Sequence, residues 1–395
     1  MQQELIRLPY LTLVLMISFA SVNAVLFTPA LPDIAHYFLI TDAEAQLTLT
    51  LFLIGYALGQ LLYGPIANRF GRKPAIYAGI TLQIVSCLVC ILAGIIHQYV
   101  LLVAGRFFLA LGSGVGLKMT FTLINECYEP KIASQKIAYL MLAFAVTPGL
   151  AVAIGGSLNM HFGWTSCFYA LAIYGSLLLM LAIRLPETSN RLDLQALKFN
   201  HLIHSYTSQF RNQTLLSGGL LMGICSTYVY VFATLAPFLA INLSGMSSSQ
   251  YGLANLLPPV GMLLGSLCSA WFSKKCSLTV CIRSGILITI AGVVLMIGLL
   301  LLHYSIIISL FLPAIIINFG LCFILANVSS IAMSQVTDKA HGSAVMNFIN
   351  MGFTTIIVLG VGYFAIQRFL LPAIYFLMCV LMLIVYQAMN NRTRK

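Results

Sequence analysis

Apolar residues fill this chain in long blocks separated by short polar breaks. The blocks cover roughly residues 8–31, 46–66, 75–96, 99–121, 133–157, 165–185, 215–240, 250–272, 279–301, 305–328, 343–366 and 370–389. Each is about long enough to cross the ~30 Å hydrocarbon core of a bilayer as a helix. The pattern therefore predicts an all-α membrane protein with twelve transmembrane helices. Most breaks are short, which makes sequential helices antiparallel neighbours. The break at Pro186–Thr214 is longer and carries Arg191, Lys198, Arg211, His201 and His204. It predicts two pseudo-symmetric six-helix bundles, residues 1–187 and 214–395, joined by a cytoplasmic linker over 188–213. The first block, Leu8–Leu31, is too long for the apolar core of a signal peptide and lacks a small-residue cleavage site, so it reads as a membrane helix.

Charge orients the layout. With the N-terminus inside, the cytoplasmic segments hold Arg7, Arg69, Arg72, Lys73, Lys118, Lys131, Lys136, Arg184, Arg191, Lys198, Arg211, Lys274, Lys275, Arg283, Lys339, Arg392, Arg394 and Lys395. Of the 20 Lys and Arg, that leaves Arg368 outside and Arg106 within a span. Cations collect in cytoplasmic loops during insertion, so both termini are expected in the cytoplasm. The same rule accounts for the net charge of +11 without nucleic acid. A chain that is 60% hydrophobic and 7% charged leaves no room for a soluble catalytic module. The ten cysteines lie mostly within apolar blocks, no Cys/His cluster has zinc spacing, and neither metal nor cofactor is expected.

The halves echo each other. Gly55-x-x-x-Gly59 matches Gly261-x-x-x-Gly265 at an offset of 206; Gly112 and Gly114 fall opposite Asn318 and Gly320 at the same offset; Pro29 and Pro237 correspond at 208. Small residues at i, i+4 let helices approach closely, and several pairs at nearly one offset argue for a duplicated six-helix unit. Two related bundles, a polar linker and no soluble domain form a machine able to rock about its midplane, the physical form of a secondary transporter.

Several motifs sharpen this reading. Gly64-Pro65-Ile66-Ala67-Asn68-Arg69-Phe70-Gly71-Arg72-Lys73 resembles the cytoplasmic signature between helices 2 and 3 of the major facilitator superfamily. Arg106 through Gly112-Ser113-Gly114 resembles its helix-4 motif, and Thr147-Pro148-Gly149 with Gly155-Gly156 resembles its exporters' helix-5 motif. Pro29-Ala30-Leu31-Pro32 and Leu185-Pro186-Glu187-Thr188 point to the drug/proton antiporter branch, with its bicyclomycin, chloramphenicol and multidrug exporters. The resemblance implies that the basic turn, with Gly64, Gly71, Arg69, Arg72 and Lys73, locks the bundles together on the cytoplasmic side. Asn68 stands where the family has Asp, so that clamp is expected to be weaker or differently wired. Pro148, Gly155 and Gly156 are implied to form a flexible bend, against the plainer reading of a packing kink.

Arg106 lies about two turns inside span four, where an arginine is costly unless it faces protein or water. The resemblance implies that it organises the cavity and a protonation-linked network. In antiporters of this branch a carboxylate sits in helix 1, a turn before the proline; here that region reads Asn23-Ala24-Val25-Leu26-Phe27-Thr28-Pro29. None of the nine acids falls at a predicted midplane. Three readings stay open: Asp33 carries a proton, Glu126 does so, or transport is not proton-coupled. Candidate cavity residues are Asn23, Phe27, Tyr56, Gln60, Ser113, Met141, Phe144, Tyr228, Tyr230, Thr234, Asn318, Asn347 and Asn350. A Met- and aromatic-rich lining suits a hydrophobic, adaptable substrate; bundle packing is the alternative for each aromatic.

The expectation is a monomer in a bacterial inner membrane that exports amphipathic small molecules or drugs, with protons as candidate coupling ions. The alternative is a narrow-specificity metabolite or siderophore transporter or facilitator. A membrane enzyme is disfavoured, because no HExxH, Gly-x-Ser-x-Gly or phosphate-loop motif occurs.

Overall fold

The computed structural model describes residues 8–189, 192–193, 196–197, 207, 209–334, 336 and 339–393. Glu4, Arg7, Arg191, Lys198, His201, His204, Asp338, Arg394 and Lys395 lie outside the described residues. Among those described there are no strands, and twelve helices are long and apolar enough to cross a membrane. Helices 1–6 span Tyr10–Phe38, Asp42–Phe70, Arg72–Ile95, Tyr99–Cys127, Gln135–Phe162 and Thr165–Ala182. Helices 7–12 span Gln213–Asn242, Ser248–Phe272, Leu278–Leu301, Ile306–Ser334, Gly342–Val361 and Leu370–Asn390.

Two boundaries differ from the sequence reading. The first apolar block does not stop at Pro29–Pro32. An α-helix over Tyr10–Val25 gives way to a 3-10 turn at Thr28–Ala30, then a further helix over Leu31–Phe38. Pro29 lacks the N–H that would continue the ladder, whereas Pro32 stands in the first turn of the next helix, where that N–H is unpaired anyway. Nor is Gly64–Pro74 all turn. Helix 2 continues through Pro65 to Phe70, and the chain reverses at Gly71 alone, with φ +105°. Lys118 likewise lies inside helix 4, where its ammonium donates to the Gln60 carbonyl at 3.3 Å.

Helices 1–6 pack on one another, as do helices 7–12, and the two groups meet through helix 5 on helix 8, helix 2 on helix 11, and the break of helix 1 on helices 7 and 8. The close approaches across this seam lie toward the end opposite the basic turns. A Cβ on Gly149 would stand 2.9 Å from the Asn255 carbonyl, one on Gly252 2.9 Å from the Val152 carbonyl, and one on Gly156 would overlap the Ser248 carbonyl. Asn159, near the end of helix 5, donates to Asp33 of helix 1 and, at 3.0 Å, to the Ser248 hydroxyl of helix 8.

Candidate functional site

The polar centre of the first bundle forms around the interruption of helix 1. The guanidinium of Arg106 is fully buried and stacks on Phe27 at 3.9 Å and Phe52 at 4.5 Å from the ring centroids. Its Nη1 donates to the Asn23 carbonyl at 2.7 Å; Nη2 reaches the Ala24 carbonyl and Nε the Thr48 carbonyl, each at 3.4 Å. These first two carbonyls belong to the last turn of the Tyr10–Val25 segment of helix 1, where the C=O groups left without helical partners carry its negative dipole end. The expected helix-1 carboxylate is thus replaced by main chain: the broken helix itself solvates the cation. The aromatic faces add cation–π attraction in a site shielded from water.

Asn23 is locked into the same centre. Its amide donates to the Phe19 carbonyl at 2.7 Å, and its oxygen accepts from Gln83 Nε2 at 2.8 Å, which also reaches the Leu171 carbonyl at 3.1 Å. Gln83 ties helices 1, 3 and 6 together and was absent from the sequence-based candidates. It was legible as an amide inside the apolar block 75–96, since an amide facing lipid is expensive. Asn159 was missed because it lies just past the block 133–157.

The other candidates fall into three groups. Gln60 and Asn350 are buried, and Gln60 Nε2 and Asn350 Oδ1 have no hydrogen-bond partner in the structure. Phe144, Tyr230, Asn318 and Asn347 are half-buried and Met141 is exposed; Asn318 donates to its own Ala314 carbonyl at 2.8 Å. Tyr56 of helix 2 is buried. By contrast Ser113 and Thr234 return their hydroxyls to Leu109 and Tyr230 carbonyls at 2.7 Å. Tyr228 faces helix 12: it donates to the Tyr375 carbonyl at 3.0 Å, while Tyr375 donates to the Tyr228 carbonyl at 2.6 Å. That reciprocal pair braces the second bundle.

The basic signature also finds its partners within the first bundle. Arg72 pairs with Glu126 of helix 4 at 2.7 Å and donates to Asn68 Oδ1 at 2.8 Å; Thr188 donates to the same Glu126. Glu187 accepts the backbone N–H groups of Arg72 and Lys73 at 2.9 and 3.0 Å, so a carboxylate from beyond helix 6 caps the start of helix 3. Burial pushes the Glu187 carboxyl up, but the N–H groups of Arg72, Ser189 and Lys73, with the Arg72 charge, outweigh it and hold the group below the ordinary carboxylate range. Gly71 is required twice, by its positive φ and because a Cβ would stand 2.8 Å from Glu187 Oε2. The hydrogen bonds and ion pair described for this signature all join parts of the first half. Among the described residues no hydrogen bond or ion pair of this signature reaches the second half, whereas the close approaches between helices 5 and 8 lie toward the opposite end.

The helix-5 motif sits on that seam. Gly149 and Gly156 approach helix 8, and Gly155 lies so close to helix 1 that a Cβ would overlap the Leu26 carbonyl. Among the described residues no group of His, Cys, Asp and Glu could hold a metal ion.

Comparison with known proteins agrees with this architecture. The family model of the Major Facilitator Superfamily matches residues 12–361. Multidrug resistance protein D of Escherichia coli (strain K12) is 28% identical over 272 residues, covering 67% of this chain and 65% of that protein. A bicyclomycin resistance protein homolog of Haemophilus influenzae is 24% identical over 251 residues, covering 63% of this chain and 62% of that protein. The chain thus spans a little under two thirds of the length of these relatives. Among solved structures, a partially occluded, inward-open conformation of the xylose transporter XylE from E. coli shares the fold, with a TM-score of 0.74 at 16% identity over 94% of this chain and 95% of that one.

Proposed function

Because the chain belongs to the Major Facilitator Superfamily, we propose that it is a secondary transporter that exports amphipathic small molecules by alternating access. The observation that carries this reading is the one-ended seam: two bundles meet through helices 5 and 8 and helices 2 and 11, with the Asn159–Ser248 bond at one end. Rocking about such a seam exposes a central hollow to each side in turn. The relatives named for multidrug and bicyclomycin resistance favour drugs over a single metabolite. The bundles are taken as residues 1–187 and 214–395, with linker 188–213, and one chain acts as the unit, since both halves of the moving pair are covalently joined. The cation distribution supports an orientation with the basic ends and both termini in the cytoplasm of a bacterium, the chain in its inner membrane, and on that reading the seam is the periplasmic gate.

The lining refines the substrate class. A hollow opened between the bundles would gain apolar and aromatic surface from Met141, Phe144, Tyr56 and Tyr230, and one donor and one acceptor from Gln60 Nε2 and Asn350 Oδ1, which are buried without a partner. The carboxylates of the described membrane helices (Asp33, Asp42, Glu44, Glu126) all stand near helix ends, so no fixed anion awaits a lipophilic cation. Uncharged amphipaths are the preferred cargo. For coupling, Glu126 is held by Arg72 and Thr188, and Arg106 has carbonyls rather than a titratable partner. Asp33, whose carboxylate accepts from Asn159 in the gate, is the remaining candidate coupling residue, and uncoupled transport is the alternative. Proteoliposomes with an imposed pH gradient test this directly. Chloramphenicol is expected to move against its gradient and ethidium, a permanent cation, not to; an Asp33→Asn variant should carry chloramphenicol only downhill. No movement of any uncharged amphipath by the inserted protein would overturn the reading.

A further inference from the structure

Arg283 belongs neither to the Arg106 centre nor to the seam. It lies on helix 9, about one and a half turns from the end near Leu278, and helix 9 packs on helices 10 and 12, away from the first bundle. Among the described residues Arg283 forms no ion pair. Instead Tyr386 of helix 12 holds it from behind: the Tyr386 hydroxyl donates to the Thr279 carbonyl at 3.3 Å and accepts Arg283 Nε at 3.1 Å. That geometry fixes the guanidinium plane and spends Nε, while among the described residues no acceptor meets the two terminal nitrogens.

The arginine stands at the wall of a groove of about 430 Å³ between helices 9 and 12. Both helices grade the groove the same way. Toward the basic end it is lined by Arg283, Tyr386, Gln387 and Asn390; deeper, by Ile286, Leu287 and Leu383. Leu287 and Leu383 are exposed in the protein alone, as residues facing hydrocarbon should be. A cation at this depth is costly without a counter-charge, and basic pockets between membrane helices at the cytoplasmic leaflet receive anionic headgroups.

The geometry points to a binding site for one anionic phospholipid, its phosphate on the terminal nitrogens of Arg283, its glycerol region beside Gln387 and Asn390, and an acyl chain over Leu287 and Leu383. The apolar floor is what selects a lipid over a soluble anion, which would have no use for it. Only the choice of leaflet rests on the orientation proposed above, and the test reads lipid retention without transport, so either proposal can fail alone.

The protein is placed in phosphatidylcholine nanodiscs containing a minor fraction of phosphatidylglycerol, released into detergent, and its retained lipid counted by native mass spectrometry. Wild type is expected to keep phosphatidylglycerol in preference to phosphatidylcholine. Arg283→Gln should lower that retention about fivefold, while Lys274→Gln, which removes an exposed cation from the neighbouring turn, should leave it unchanged. Equal retention in wild type and Arg283→Gln, an equal loss in Lys274→Gln, or full displacement of the lipid by inorganic phosphate would each overturn the site. Should Arg283→Gln not accumulate, Gln387→Leu on the exposed rim asks the same question: reduced phosphatidylglycerol supports the site, and undiminished retention overturns it.

Discussion

The two bundles share a skeleton but not a chemistry. In the first, Gly79 on helix 3 faces the Gly112 carbonyl of helix 4, where an added Cβ would stand 2.9 Å away; in the second, Gly285 faces the Gly320 carbonyl at 2.7 Å. Gly55 and Gly59 press on helix 4 as Gly261 and Gly265 press on helix 10. The packing therefore pairs Gly112 with Gly320, an offset of 208 (320 minus 112), and not with Asn318 as the sequence spacing of 206 had it. On that register Arg106 corresponds to Ala314 and Asn23 to Val231; helix 3 maps onto helix 9 at an offset of 206, as Gly79 onto Gly285, so Gln83 corresponds to Thr289. The close helix contacts were kept in both halves, while the buried cation and its amides occur in one. Backbone proximity is a property of the fold; the charged centre is a property of the site.

Breaking that asymmetry should have the largest effect. Ala314→Arg puts a cation where helix 7 is still continuous α-helix through Val231 and Phe232, so no freed carbonyls await it, and no monodisperse peak is expected in fluorescence size-exclusion chromatography. Arg106→Ala leaves the Asn23 and Ala24 carbonyls without their donor and costs roughly 3 kcal/mol. The protein should fold with a lowered melting temperature and transport should fall to background. Arg106→Lys should not rescue transport, because a point charge cannot serve three carbonyls while lying flat between two rings. Full activity in either variant would remove Arg106 from the mechanism.

Smaller effects sharpen the comparison. Gln83→Leu should cost about 2 kcal/mol by leaving the Asn23 amide oxygen unpaired. Thr289→Val, at the matching place, should cost under about 1 kcal/mol, because that hydroxyl only bonds its own helix. Thermal melts of both would show whether the two sites differ as argued. Smallest is Glu187→Gln, with a shift of about 2 °C at neutral pH. Its folded carboxyl is depressed, so the ionised cap stabilises above the unfolded value of about pH 4 and is lost as pH falls through the folded one. The gap between wild type and Glu187→Gln should close on acidification, and a gap that widened would discard the cap.

The fold was largely written in the hydropathy blocks, because length and apolarity are all that a spanning helix needs. Pro29 and Pro32 misled about where helix 1 ends, since a proline forbids a hydrogen bond rather than a direction. Arg106 was conspicuous as a cation in an apolar block, but its partners were not, because backbone carbonyls leave no trace in residue identity. The Glu187 cap on helix 3 joins residues more than a hundred positions apart, and periodicity within one helix cannot register such a contact. Tyr228 shows the converse: its residue type fits a cavity or a brace equally well, and only its contact with Tyr375 decides.

Gly155 leaves room for hydrogen alone against the Leu26 oxygen, which fastens helix 5 to the break in helix 1 like a rivet through two plates. In the proposed alternation, Asn159 and Asp33 travel together on the riveted side and leave Ser248 behind on the other. Of the two bonds Asn159 makes, the weaker one to a neutral hydroxyl is therefore the one designed to snap. The bond to the Asp33 carboxylate lies wholly within the first bundle, so the same motion need not break it.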